Sequence, residues 1–113
     1  MEDLSEEHQA LYTWLDEIPL SRQKKHVSRD FSDGVMAAEV VHHFLPKLVE
    51  LHNYSPANSV SQKLENWRTL NRKVFSRLNF NLPDDIIQGV VASKPGVIEF
   101  VLTNLRNLSL IHI

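Results

Sequence analysis

With 113 residues, 42% of them hydrophobic, the chain can bury one ordinary core but divides poorly into two, so a single domain is expected. The absence of cysteine excludes disulfides, thiolate metal ligands and cysteine nucleophiles together, and no apolar run approaches the roughly 20 residues of a membrane span. Net charge is only -2 but unevenly spread: residues 1–17 hold six acids and no lysine or arginine, while 20–29 hold Arg22, Lys24, Lys25 and Arg29 with no acid. Residues 51–83 hold Lys63, Arg68, Arg72, Lys73 and Arg77 against Glu65 alone. Two basic stretches in a mildly acidic protein make a patch for an acidic surface if the fold brings them together.

At the N-terminus, Glu2, Asp3, Glu6 and Glu7 stand where a secretory signal would be basic and then apolar, so no export signal is visible. Apolar residues then recur at helical spacing in several windows and no stretch alternates for long, so the class is all-α. The first helix is expected from about Leu4 to Ile18, with Asp3 and Glu6 as a capping box, Leu11, Trp14, Leu15 and Ile18 on one face, and Pro19 as its stop. Residues 19–29 are polar, basic and aperiodic, a loop with at most a short turn. The next helix opens at Asp30-Phe31-Ser32-Asp33-Gly34-Val35, with Ser32 as its cap and Phe31 stapling onto Met36. Its stripe continues through Val40, Val41, Phe44, Leu45 and Leu48, and Pro46 should end or kink it near Leu45.

Residues 51–62 read as a connector. From Lys63 to Leu78 the apolar residues Leu64, Trp67, Leu70, Val74, Phe75 and Leu78 fall on one arc, flanked by Arg68 and Arg72 on one side and Lys73 and Arg77 on the other. Pro83-Asp84-Asp85 starts a short helix, with acids where the helix dipole favours them. Ser93 and Pro95 start the last one, whose core face is Val97, Ile98, Val101, Leu102 and Leu105. Trp14 and Trp67 belong to apolar stripes and are expected in the core.

The chemistry that the residues offer is thin. Glu39 with His42 and His43 is the nearest approach to a metal site, but one Glu-x-x-His pair lacks the third ligand such a site needs, and the plainer reading is two histidines at the edge of a core helix. Nothing resembles a nucleophile elbow, a phosphate-cradling glycine loop or an H-E-x-x-H helix, so no catalytic residue, metal or cofactor is expected and the chain does not read as an enzyme. Negative net charge and the lack of a recognition motif speak against nucleic acid as a partner. What remains is the basic loop and the basic flanks of the 63–78 helix, whose plainer reading is a solvated charged face.

Trp14-Leu15, Asp33-Gly34-Val35 and Leu64-Glu65-Asn66-Trp67 resemble the corresponding stretches of calponin-homology domains. A closer set follows in order: Ile18-Pro19-Leu20-Ser21, Arg29-Asp30-Phe31-Ser32-Asp33-Gly34-Val35, His52-Asn53-Tyr54, Pro56-Ala57-Asn58-Ser59, Leu70-Asn71-Arg72-Lys73-Val74, Leu78-Asn79-Phe80, Pro83-Asp84-Asp85 and Pro95-Gly96-Val97. Together they resemble the sperm flagellar type of calponin-homology domain to about Leu105. The resemblance implies a compact bundle of four main helices with short connecting helices, in a cytoplasmic, cytoskeletal protein of the cilium or flagellum axoneme. It implies microtubules as partner, with actin as the alternative and a protein or phosphoinositide ligand behind both. The contacts expected on charge are Arg22, Lys24, Lys25 and Arg29 first, and Arg72, Lys73 and Arg77 second. The domain is expected over residues 1–107, and the apolar run 108–113 stands apart as a tail of undeclared origin. Dimerisation in this type resides in a C-terminal coiled-coil region that these residues lack, so the chain should bind more weakly than the full-length protein.

Overall fold

Leu11, Leu15 and Ile18 recur at intervals of four and three, and this stripe is what the first helix buries. In the computed structural model, which describes residues 6–22 and 25–112 without the side chains of residue 7 and residues 109–112, that helix is α1 (Glu6–Asp16). Leu4, and with Asp3 the expected capping box, lie outside the described residues. The amides of Glu17 and Ile18 bond back to the carbonyls of Trp14 and Leu15, each at 3.1 Å, and Pro19 has no amide to continue the series. A single turn, α2 (Val27–Asp30), interrupts the loop that follows.

Two helices form the centre. α3 (Val35–Phe44) buries Val35, Met36, Ala37, Ala38, Val40 and Val41, more than a one-sided stripe would, as befits a helix covered on most of its surface. It stops at Phe44 because Leu45 precedes Pro46 and is pushed out of the helical region, to φ -133 and ψ 69. α6 (Val97–His112) touches α1, α2, α3 and α5, and buries Ile98, Val101, Leu102 and Leu105 as its spacing predicts. Each fully buried side chain of this size contributes about 2 kcal/mol relative to exposure. Tyr12 ties α1 to the first turn of α6 by donating its hydroxyl to Glu99 Oε2 at 2.8 Å.

The remaining elements differ from their expected bounds for local reasons. The expected cap of α3, Ser32, turns its Oγ back to the carbonyl of Arg29 at 2.8 Å; Gly34 takes the cap position and the Asp33 carboxylate receives the Val35 amide instead. α4 (Val60–Lys73) begins three residues before Lys63, because Ser59 Oγ accepts the Gln62 amide at 3.2 Å and caps it. It also ends early: a 3-10 turn over Phe75–Leu78 and a left-handed Asn79 (φ 56) replace its last turn. That tighter path sets Phe75 edge-on to Phe80 at 5.2 Å.

α5 (Asp84–Val91) follows Pro83 with Asp84 and Asp85 in its first turn, as expected. Ser93 does not start α6. It closes α5 in a left-handed conformation (φ 58), while the Lys94 amide reaches back to the Gly89 carbonyl at 2.9 Å. α6 starts only at Val97, after Gly96 at φ 87. The described residues contain helices and no strand, as the all-α reading requires, and their radius of gyration, 13.0 Å, is that of a compact domain. No helix among them is long and apolar enough to cross a membrane.

Candidate functional site

The Ser32-Asp33-Gly34 turn is a densely bonded polar feature among the described residues. Trp67, fully buried, donates its indole N–H to the Ser32 carbonyl at 3.0 Å. Asn66 donates one amide nitrogen to the carbonyls of Asp33 and Ser55, both at 2.8 Å. The Asp33 carboxylate, 4% exposed, accepts from the Val35 amide (3.1 Å) and the Arg22 guanidinium (3.2 Å) on one oxygen and from the Ala57 amide (3.2 Å) on the other. Gly34 sits at φ 87 with α4 so close that a Cβ there would lie 3.2 Å from Asn66 Cβ. The two motifs Asp33-Gly34-Val35 and Leu64-Glu65-Asn66-Trp67 therefore exist for each other: one presents carbonyls and the other donors.

The basic loop is built onto this turn. Asp30 Oδ2 accepts the amides of Lys25 (2.6 Å) and His26 (2.9 Å), which fixes the loop's backbone and leaves the side chains of Lys25 and Arg29 exposed. Arg22 is held by Asp33, and Lys24 lies outside the described residues. Lys63, at the start of α4, places its ammonium 3.2 Å from Ser32 Oγ. The two basic stretches thus meet only in part. Lys63 reaches the Ser32 turn on which the loop is built, whereas Arg72 and Lys73 lie at the other end of α4, about 13 to 15 Å further along its axis by helical rise, and Arg77 lies in the 3-10 turn beyond it.

Those three converge instead on a groove of about 440 Å³ that also takes Lys47 and Glu50 from the connector after α3, with Asn53, Tyr54, Leu48 and Val74 completing its walls. Burial pushes the pKa of the Tyr54 hydroxyl up; the charge of Arg72 pulls against that shift and Glu50 adds to it. Neither Lys47 nor Arg72, Lys73 and Arg77 form an ion pair among the described residues. Arg68, in the same basic stretch, behaves oppositely. Its Nε and Nη2 each donate to an Asp84 oxygen at 3.0 Å, and this bond, with a second from Gln88, holds the Asp84 carboxyl below the usual carboxylate range.

Beside this geometry stands a family match: the model described as CH-like domain in sperm protein covers residues 11–107. The chain belongs to that family. It is 61% identical over 98 residues to sperm flagellar protein 1 of Xenopus laevis, 87% of this chain and 43% of that protein. It is 60% identical over 96 residues to sperm flagellar protein 1 of Homo sapiens, covering 85% and 41%, and 58% identical over 96 residues to that of Mus musculus. The chain spans about two fifths of the length of these relatives. For this CH-like domain the all-α, calponin-homology architecture expected from the motifs holds, and the family is that of a structural domain of a flagellar protein rather than an enzyme family.

The packing of this CH-like domain also places the two tryptophans and the Glu39-His42-His43 group. Trp67 is core, as expected; Trp14 is only partly buried and stacks on Phe44 with ring centroids 5.6 Å apart and planes within 5°. Glu39, first of the three candidate metal ligands, spends Oε1 on the Ser21 amide at 3.0 Å, and His43 meets Phe44 edge-on. Among the described residues, no group of three or more His, Asp or Glu is placed to hold a metal. Lys47 escaped the sequence reading altogether. It is a lone lysine after Pro46, and only the return of the chain past the end of α4 gives it company.

Proposed function

We propose that this chain is a non-enzymatic module that binds microtubules of cilia and flagella through exposed lysines and arginines, and that the full-length protein also bundles them. The observation that carries the reading is identity of about 60% to sperm flagellar protein 1 across most of the chain, on a domain that keeps cations without ion pairs among the described residues. Filament surfaces rich in carboxylates attract such side chains, which orient docking in a salt-sensitive way. The loop with Lys24, Lys25 and Arg29 makes the first contact; Arg22, bound to Asp33, serves mainly to shape that loop. Arg72, Lys73 and Arg77 form the second contact. Bundling requires two binding sites per particle, which one domain does not supply.

Cosedimentation of the purified chain with microtubules and with actin filaments, over a salt series, tests the reading. Pelleting with microtubules that fades as salt rises is expected. Pelleting with actin alone would sink it, and pelleting with neither would point to a soluble protein or phosphoinositide ligand.

A further inference from the structure

We infer that the groove between the connector after α3 and the end of α4 binds a short extended peptide segment in which carboxylates adjoin an apolar side chain. Four cations from three separate segments, Lys47 after α3, Arg72 and Lys73 at the end of α4 and Arg77 in the 3-10 turn beyond it, face one concavity holding a single acid, Glu50, and none of them forms an ion pair among the described residues. The dipole of α4 accounts for Arg72 and Lys73, since cations are favoured at a helix C-terminus. It does not account for Lys47, which comes from another element.

Along one rim the groove opens into a second hollow of about 720 Å³, lined by Phe44, Leu45, Pro46 and Leu78 and sharing Lys47, Leu48 and Arg77 with the first. Cationic and apolar halves thus share one edge, and both have the size of ligand-binding clefts. The same features argue against a compact phosphate as occupant. Phosphate sites use free backbone N–H groups at helix N-termini, whereas this one lies at the C-terminal end of α4, whose carbonyl dipoles oppose a concentrated anion. Carboxylates strung along a peptide reach the outer ends of the long side chains and avoid that penalty, while an apolar neighbour fills the second hollow.

This deepens the proposed function. It rests on that reading for the identity of the filament, whose acidic segments would be the natural occupant, but not for the chemistry of the groove. The test uses the whole chain and two fluorescein-labelled peptides, one of glutamates interrupted by two phenylalanines and one of glutamates alone, followed by anisotropy at low salt. The mixed peptide should bind saturably, weaken about tenfold in the Arg72→Glu/Arg77→Glu variant, and hold in Lys25→Glu/Arg29→Glu. The all-glutamate peptide should bind several-fold more weakly. Circular dichroism confirms folding, and Lys47→Gln and Arg77→Gln provide milder variants.

Equal weakening by the loop variant, equal affinity for both peptides, or capture of phosphoinositide vesicles without peptide binding would each overturn the inference. Peptide binding without microtubule pelleting leaves the groove standing and removes the microtubule; pelleting without peptide binding does the reverse.

Discussion

At its middle α4 meets the Ser32-Asp33-Gly34 turn with nearly every polar group bonded: indole to carbonyl, carboxamide to two carbonyls, carboxylate to two amides and a guanidinium. At its end the same helix carries arginine and lysine toward a groove where none forms an ion pair within the described residues. Both regions are polar, and both sit on motifs shared with calponin-homology domains. Buried polar groups must be satisfied by the protein itself, so the first region is fold machinery. Solvated cations held near one another without partners cost repulsion, so the second is where a ligand gains most.

Substitutions sharpen this contrast when ranked by their effect on stability. Asp33→Ala removes the acceptor of three donors and Asn66→Ala strands two carbonyls, so each should destabilise the domain by about 3 kcal/mol in urea unfolding. Because the two residues share one cluster, the double variant should cost clearly less than the sum. Gly34→Ala forces a side chain into the left-handed region and against Asn66, and should cost about 2 kcal/mol by the same measurement.

Tyr12→Phe, which breaks a bond remote from both regions, should cost about 1 kcal/mol at neutral pH. It should also flatten the alkaline limb of the stability curve. Burial, reinforced by Glu99, raises the Tyr12 hydroxyl to about 12 from 10.0. The folded state therefore favours the protonated phenol: its contribution is intact below about pH 10 and is lost as pH climbs toward 12. Thermal melts of both proteins between pH 8 and pH 12 would show it.

The smallest effect belongs to the groove. Arg72→Glu/Arg77→Glu should shift unfolding by less than about 0.5 kcal/mol while weakening microtubule cosedimentation about tenfold. A groove variant that unfolds the domain, or an Asp33 variant that leaves stability untouched, would break the contrast.

Much of the fold was legible because period and proline are local signals. The α1 stripe, the stop before Pro46, the burial of Trp67 and the acidic start of α5 all follow from residues within one or two turns. The caps were harder. Ser32, Asp33 and Gly34 are each competent to cap a helix, and only the approach of Asn66 and Trp67 decides that Gly34 takes the position, Asp33 braces it and Ser32 looks backward. The break at Val74 escaped notice for a related reason: the heptad-like stripe through Phe75 and Leu78 survives in a 3-10 turn, so hydrophobic spacing does not distinguish the two.

Of the basic residues, sequence picked out the charged stretches but not their grouping. Nothing local pairs Arg22 with Asp33, neutralises Arg68 through Asp84, or brings Lys47 to Arg77, since each depends on how distant segments return.

The placement of the two tryptophans gives the molecule a built-in pair of optical reporters. Trp67, sealed and hydrogen-bonded, emits from the interior of the braced turn and should shift to the red only when that turn opens. Trp14 is partly solvated and stacked on Phe44, which itself lines the apolar hollow, so its emission should respond to an occupant there while Trp67 stays silent. Single-tryptophan variants would let one cuvette watch unfolding and the other watch loading.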